Sequence, residues 1–224
     1  MCKLHMKWID DLGIDTVIDV GANIGQSASG FRQQFLNARI YSFEPLPAQY
    51  RILCQVFQYD DKFVAYNLAL SDKEEYVVFN SADFPDASSV LQMSDLLKEY
   101  IVKAGFFPSA ETKEIIVRAA TLDSMGLVLG HSLLVKIDVQ GADDKVIRGG
   151  QETIKKAKLC LIETEFQPLY TGQALFFDIL VQMKALGFTY FGDRDRIFYN
   201  ANGTPLWQDS IFVNEDLLKD GVFI

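Results

Sequence analysis

Positive charge is scarce in this chain. Its 224 residues carry 21 Lys and Arg against 30 Asp and Glu, a formal net charge of −9. No basic cluster stands out, so no nucleic-acid partner is expected, because phosphate binding needs a concentrated basic face. For the same reason no anionic membrane surface is expected as a partner. Long apolar runs are missing too: none approaches the roughly 18 residues that cross a bilayer. The stretch MCKLHMKWIDDLG lacks the apolar core of a signal peptide. The expectation is a cytoplasmic protein. Cysteine is sparse: Cys2, Cys54 and Cys160 form neither a metal knuckle nor a disulfide framework. Histidine is limited to His5 and His131, so no histidine base is indicated, and His131 reads as a solvated loop residue.

What is present is an ordinary globular composition, 49% hydrophobic and 23% charged, at a length that suits one α/β domain. TVIDV (16–20), RIYSFEP (39–45) and FVAYNLALSD (63–72) read as strands, and NIGQSASGFRQQF and PAQYRILCQVFQY between them as helices. Such alternation predicts a parallel sheet wrapped by helices on both faces, with the first three strands side by side at one edge. The pattern then breaks over residues 74–130, read as an insertion with too few apolar residues for a core of its own. At that length it reads as a functional lid. Alternation resumes with SLLVKIDVQG (132–141), ADDKVIRGG, KLCLIETEF and ALFFDILVQMKALGF. A terminal hairpin follows, turning at ANG. The whole of 1–224 is read as a single domain.

Chemistry concentrates at VIDVGANIGQ. Gly21 lets the chain leave the first strand in a conformation costly for other residues, and Gly25 allows a close helix approach. The dinucleotide fingerprint G-x-G-x-x-G fails, since Asn23 and Gln26 stand where glycines belong, and no G-K-[ST] follows. What remains is D-x-G-x-N-x-G: Asp19, Gly21, Asn23, Gly25. Glu44 closes the second strand near the spacing at which an acid grips a ribose diol. A carboxylate can accept from both vicinal hydroxyls. Asn67, Ala69 and Ser71 at the end of strand three are candidates to flank a base.

The series VIDVGANIGQ, YSFEP, NLALSD, SSVLQ, TLDSM, LLVKIDVQGADDKVIRGG, LIETEFQPLY and DSIFVN, in that order, resembles the FkbM family of S-adenosylmethionine-dependent methyltransferases. The resemblance runs from about Thr16 to Asn214. It implies a Rossmann-like, seven-stranded, mostly parallel sheet with an antiparallel last strand and helices on both faces. It also implies S-adenosylmethionine as methyl donor and a small-molecule acceptor, a hydroxyl on a sugar or secondary metabolite. The family's glycine motif falls on Asp19, Gly21, Asn23 and Gly25, its ribose acid on Glu44, and its fourth-strand acid on Asp138. Where the family usually has DVEG, this chain has DVQG, with Gln140 for Glu.

For methyl transfer to an alcohol, the acceptor must be aligned in line and lose a proton, with a carboxylate or a metal ion assisting. Asp138 is the first candidate, with a helix N-cap as its plain alternative. Glu163 and Glu165 share one strand face by period-2 alternation; one of them lining the acceptor pocket and an edge-facing solvated pair are the two readings, and Glu163 is the second catalytic candidate. Asp138 with Glu163 could also offer hard oxygens to Mg²⁺, though no dedicated metal site is assigned. Ser88, Ser89, Phe84, Phe106, Phe107 and Tyr170 are candidates for an acceptor pocket. A second functional reading is a cofactor-binding protein with little activity that serves as a partner-binding scaffold, motivated by Gln140.

Overall fold

The computed structural model describes residues 7–83, 85–105, 110–194 and 197–216. Cys2, His5, Phe84, Phe106 and Phe107 lie outside the described residues. The first helix, α1 (Lys7–Asp11), leads to β1 (Thr16–Val20), α2 (Gln26–Gln34), β2 (Arg39–Phe43), α3 (Pro47–Val56) and β3 (Phe63–Tyr66). After the insertion come β7 (Leu133–Ile137), α5 (Asp143–Gly149), α6 (Gln151–Ile154), β8 (Ala157–Glu165) and α7 (Phe176–Ala185). The chain ends in β9 (Phe188–Asp193), β10 (Phe198–Tyr199) and β11 (Pro205–Asn214).

These strands form one sheet in the order β10-β11-β8-β7-β1-β2-β3, with β9 paired to the other part of β11. Strands β3, β2, β1, β7 and β8 are parallel, and β11 runs antiparallel to β8. The first three strands do lie side by side at one edge, and the winding reverses between β1 and β7. The sheet has eight strands rather than seven, because the two-residue β10 pairs with the start of β11.

Both faces are covered, so central strands read as unbroken apolar runs. On one face Val17, Leu134, Leu159 and Ile211 meet Ile9, Phe31 and Leu53 from α1, α2 and α3. On the other, Ile18, Val135, Cys160 and Phe212 meet Val146, Ile154, Ile179 and Met183 from α5, α6 and α7.

The predicted third strand divides. It leaves the main sheet after Tyr66, and Ala69–Leu70 (β4) joins a second sheet. That sheet has the order β4-β6-β5, with β5 (Glu75–Ala82) antiparallel to β6 (Thr112–Ala120). A 3-10 turn (Pro85–Ala87) and α4 (Asp95–Lys103) lie between β5 and β6. The insertion's apolar residues pack jointly with the main sheet's loops. Leu97 and Ile101 meet Leu169, Tyr170 and Leu206, while Phe79 and Val117 meet Leu46 and Ala69.

Candidate active site

Parallel registration with period-2 alternation puts a row of polar side chains on one face of the sheet at its carboxyl end. Asp19 lies between Ser42 of β2 and Lys136 of β7, each its direct register partner. Asp138 follows Lys136 by two residues, and Glu163 of β8 is the register partner of Asp209 of β11. Beyond these strand ends lies a cavity of about 290 Å³. Gly21, Glu44, Lys136, Asp138 and Glu163 line one side of it, and Phe79, Asp86, Ser88 and Val90 of the insertion line another. In open α/β sheets the point of reversed winding is where ligands bind.

The glycine turn builds the cavity floor. Gly21 has φ +78°, and a Cβ there would stand 1.9 Å from the carbonyl oxygen of Asp138. The turn can therefore approach β7 only without a side chain. Gly25, at φ +95°, faces away from the cavity, and a Cβ would strike Phe57 and Leu53 of the α3 region at 2.8 and 2.9 Å. Its role here is close helix packing. The backbone N–H of Asn23 donates to Glu44 Oε2 at 2.8 Å, and that of Leu46 to Glu44 Oε1 at 2.8 Å. Burial raises the Glu44 carboxyl to about 7, against the pull of these two backbone donors. The side-chain amide of Asn23 donates to Asp86, tying the turn to the insertion.

Asn67 does not line the cavity. Its Nδ2 donates to the carbonyls of Glu44 and Pro45 at 2.9 and 3.0 Å, fixing the turn after β2. This bond pattern accompanies the break in the third strand. Ala69 is buried and does line the cavity. Ser71 caps the backbone of β6 through Ala120.

Lys136 was not singled out by the sequence motifs, yet it organises the site. Its ammonium lies 3.5 Å from Asp19 Oδ1 and 3.2 Å from Asp138 Oδ2, and donates to the Gly21 carbonyl at 3.2 Å. Burial alone would lower its pKa, but the charges of Asp138 and Asp19 override burial and keep it ionised. Asp19 is fully buried behind this lysine and does not itself line the cavity. Neither of its oxygens accepts a hydrogen bond among the described residues, and burial raises its carboxyl. Asp138 goes the other way: burial would raise it, but the Lys136 charge and hydrogen bonds from Gln140, Lys136 and Glu163 hold it below the usual range. A lysine inside the apolar run LLVKI was the readable signal, since such a residue is buried only when paired.

Asp138 is not a helix cap. The N-cap position of α5 is Ala142, with no side-chain cap, and the Asp143 carboxylate instead ties the loop before the helix, accepting from the backbone N–H of Val139 and Gly141, both at 3.2 Å. Burial raises the Asp143 carboxyl to about 7. Gln140 donates from Nε2 to Asp138 Oδ1 at 2.8 Å and to Glu163 Oε2 at 2.6 Å. Burial and neighbouring acids, Asp138 first, raise Glu163 well above the usual range. Glu165 is buried, with its Oε1 lacking a partner among the described residues. A solvated Glu163–Glu165 pair is therefore ruled out. Ser88 lines the cavity, and Ser89 and Tyr170 bind Gln140. Asp86 carried no sequence signal, because the fold of the insertion brings it to the glycine turn.

The donor set does not fit Mg²⁺. The amide N–H groups of Gln140 occupy one oxygen each of Asp138 and Glu163, and an ammonium stands at the other oxygen of Asp138. Among the described residues no group of three or more His, Cys, Asp or Glu is placed to hold a metal ion. No helix among them is long and apolar enough to cross a membrane.

Compared with known proteins, the chain is 29% identical over 167 residues to the 2-O-methyltransferase NoeI of Sinorhizobium fredii (strain NBRC 101917 / NGR234). That match covers 70% of this chain and 66% of the relative, just under two thirds of its length. The fold is similar to the crystal structure of methyltransferase FkbM from Methylobacillus flagellatus KT, with TM-score 0.54 and 12% identity. That superposition covers 90% of this chain and 44% of the other. The sheet is thus the Rossmann-like sheet of methyltransferases. With the methyltransferase FkbM domain model matching residues 19–190, more than half of its length, the chain belongs to the FkbM methyltransferase family.

Proposed function

We propose that the protein is an S-adenosylmethionine-dependent methyltransferase acting on a hydroxyl of a small molecule, a sugar or a secondary metabolite. One observation carries the reading: Gly21, Glu44 and Asp138, from three separate strand ends, wall a single cavity where the sheet's winding reverses. Family membership supports the methyl-transfer chemistry, and the NoeI relative, a 2-O-methyltransferase, supports oxygen as the acceptor atom.

The residues present fit the donor. Each Glu44 oxygen accepts one backbone N–H and keeps a lone pair for a ribose hydroxyl. The bare turn at Gly21 leaves room for close approach, and Ala69 with Leu68 and Leu70 offers an apolar wall for a base. When bound, the donor supplies a methyl group already activated on a sulfonium. The chain's own task is to orient the acceptor, exclude water and accept a proton. Asp138 and Glu163 are the acids that line the cavity at that end, and the insertion, with Ser88 and Asp86 on the cavity, forms the lid and acceptor side.

S-adenosylhomocysteine should stabilise the fold thermally, while NAD and ATP should not. Glu44→Ala should remove most of that stabilisation. Asp138→Asn should keep binding but lose transfer of labelled methyl from S-adenosylmethionine to a panel of free sugars and phenols. An unchanged thermal shift in Glu44→Ala would show that the diol lies elsewhere. Binding without transfer to any hydroxyl would favour the scaffold reading.

A further inference from the structure

Two acids with different surroundings stand at the end of β7 and β8, and one amide lies between them. Gln140 has φ +59°, a conformation uncommon outside glycine. Its carbonyl accepts from Ser89 Oγ of the insertion at 2.6 Å. Its side-chain Nε2 reaches both acids, and the hydroxyl of Tyr170 donates to its Oε1 at 2.7 Å. The reverse amide orientation would set Oε1 against two carboxyl groups, so the network itself decides which atom is which.

We propose that Gln140 is a positioning residue that divides the proton work of the site, holding Asp138 as a fixed anion and Glu163 as the group that takes the acceptor's proton. This deepens the methyl-transfer reading and rests on it. Asp138 has both oxygens engaged, Oδ1 by Gln140 and Oδ2 by the Lys136 ammonium. Glu163 accepts from Gln140 through Oε2 and lines the cavity; when it holds a proton its carboxyl also bonds to Asp138, and when ionised it accepts no hydrogen bond at Oε1 from the described residues. A general base needs a free lone pair within reach of the proton. As the acceptor oxygen forms its bond to the methyl carbon, the electron pair of the methyl–sulfur bond stays on sulfur. The hydroxyl proton passes to Oε1 of Glu163.

The charges around Glu163 agree with this division. Asp138 just after β7, Glu165 on β8, Asp209 on β11 and Asp143 on α5 all push its carboxyl up, after burial. Asp209 is itself paired with Arg194 at 2.7 Å, the Tyr170 phenol lies alongside, and the Lys136 ammonium stands beyond Asp138. Environments that push two neighbouring acids in opposite directions mark which one changes its protonation. A neutral amide at 140 allows this; a glutamate would add a third carboxylate within hydrogen-bond reach of the other two.

Carbon-13 NMR of the side-chain carboxyls, with no ligand added, reads both acids directly. Among the Glu carbons that titrate above the usual range, with those of Glu44 and Glu165, we expect one that is absent from Glu163→Gln. The carbon missing in Asp138→Asn should stay ionised below the usual Asp range. Gln140→Met, similar in length but without N–H groups, should move both midpoints up by about one pH unit or more. Tyr170→Phe keeps the ring packing, frees the amide and should move both the same way by less. If Asp138 takes its proton before Glu163, or if neither variant moves either midpoint, the proposal is overturned. A wild-type protein that fails to bind S-adenosylhomocysteine would instead overturn the methyl-transfer reading, and the titration would stand apart from it.

Discussion

At Gly21 one methyl group decides whether the turn can close. Gly21→Ala combines a strained positive φ with a contact of 1.9 Å against backbone, and we expect a loss of roughly 2–4 kcal/mol in urea unfolding. Lys136 poses the opposite problem, since removing it leaves charge unpaired. Lys136→Met should cost about 3–5 kcal/mol at neutral pH, and the loss should shrink in acid as Asp19 and Asp138 take up protons. A loss equal at pH 4 and pH 7 would count against the pairing. Glu44 and Asp143 set a pH dependence of their own. Both are raised to about 7, so the folded protein binds more protons than the unfolded chain between roughly pH 4 and 7. Their contribution to stability is present in acid and is lost as pH rises through 7. Urea melts of the ligand-free protein should show this decline, and Glu44→Gln should flatten part of it.

Among elements, the insertion is joined to the main sheet by a few defined contacts. Ile101 of α4 is 2% exposed and packs with Tyr170 and Leu206. Ile101→Ala should cost about 2–4 kcal/mol. The loss should concentrate in the insertion: hydrogen exchange should quicken in β5 and β6 and stay slow in β1 and β7. Uniform quickening would mean that the insertion and main sheet open as one unit. The break of the third strand belongs to this scale as well. FVAYNLALSD reads as one strand because it is largely apolar and opens on Phe63, Val64 and Tyr66, which suit a pleated, half-buried surface. Asn67 turns it by binding the Glu44 and Pro45 carbonyls, and β6 then offers Ala69–Leu70 a different neighbour.

For the whole molecule, binding to the folded state alone raises stability by mass action. S-adenosylhomocysteine at about 100 times its Kd should add roughly 2.7 kcal/mol, read as a concentration-dependent rise in Tm. S-adenosylhomocysteine is a zwitterion of zero net charge, so this rise should change little with salt despite the chain's balance of −9. The docking of a neutral diol and an apolar base needs no long-range steering.

The sequence by itself determined the alternation of strands and helices, the edge position of the first three strands and the glycine turn with Glu44. Each rests on local chemistry: period, turn residues and spacing. Tertiary structure decided which side chains share a space. Asp19 reads as a cavity acid, but Lys136, its register partner, stands between it and the cavity. Gly25 reads as part of the binding turn, but its bare Cα is filled by Leu53 and Phe57. Asp86 and Tyr170 reach the site from distant segments. Gln140 reads as a lost charge, and in the fold it is the bridge between two acids. Pairing across strands is set by register and packing of residues far apart in the chain, and a linear pattern carries no distance between them.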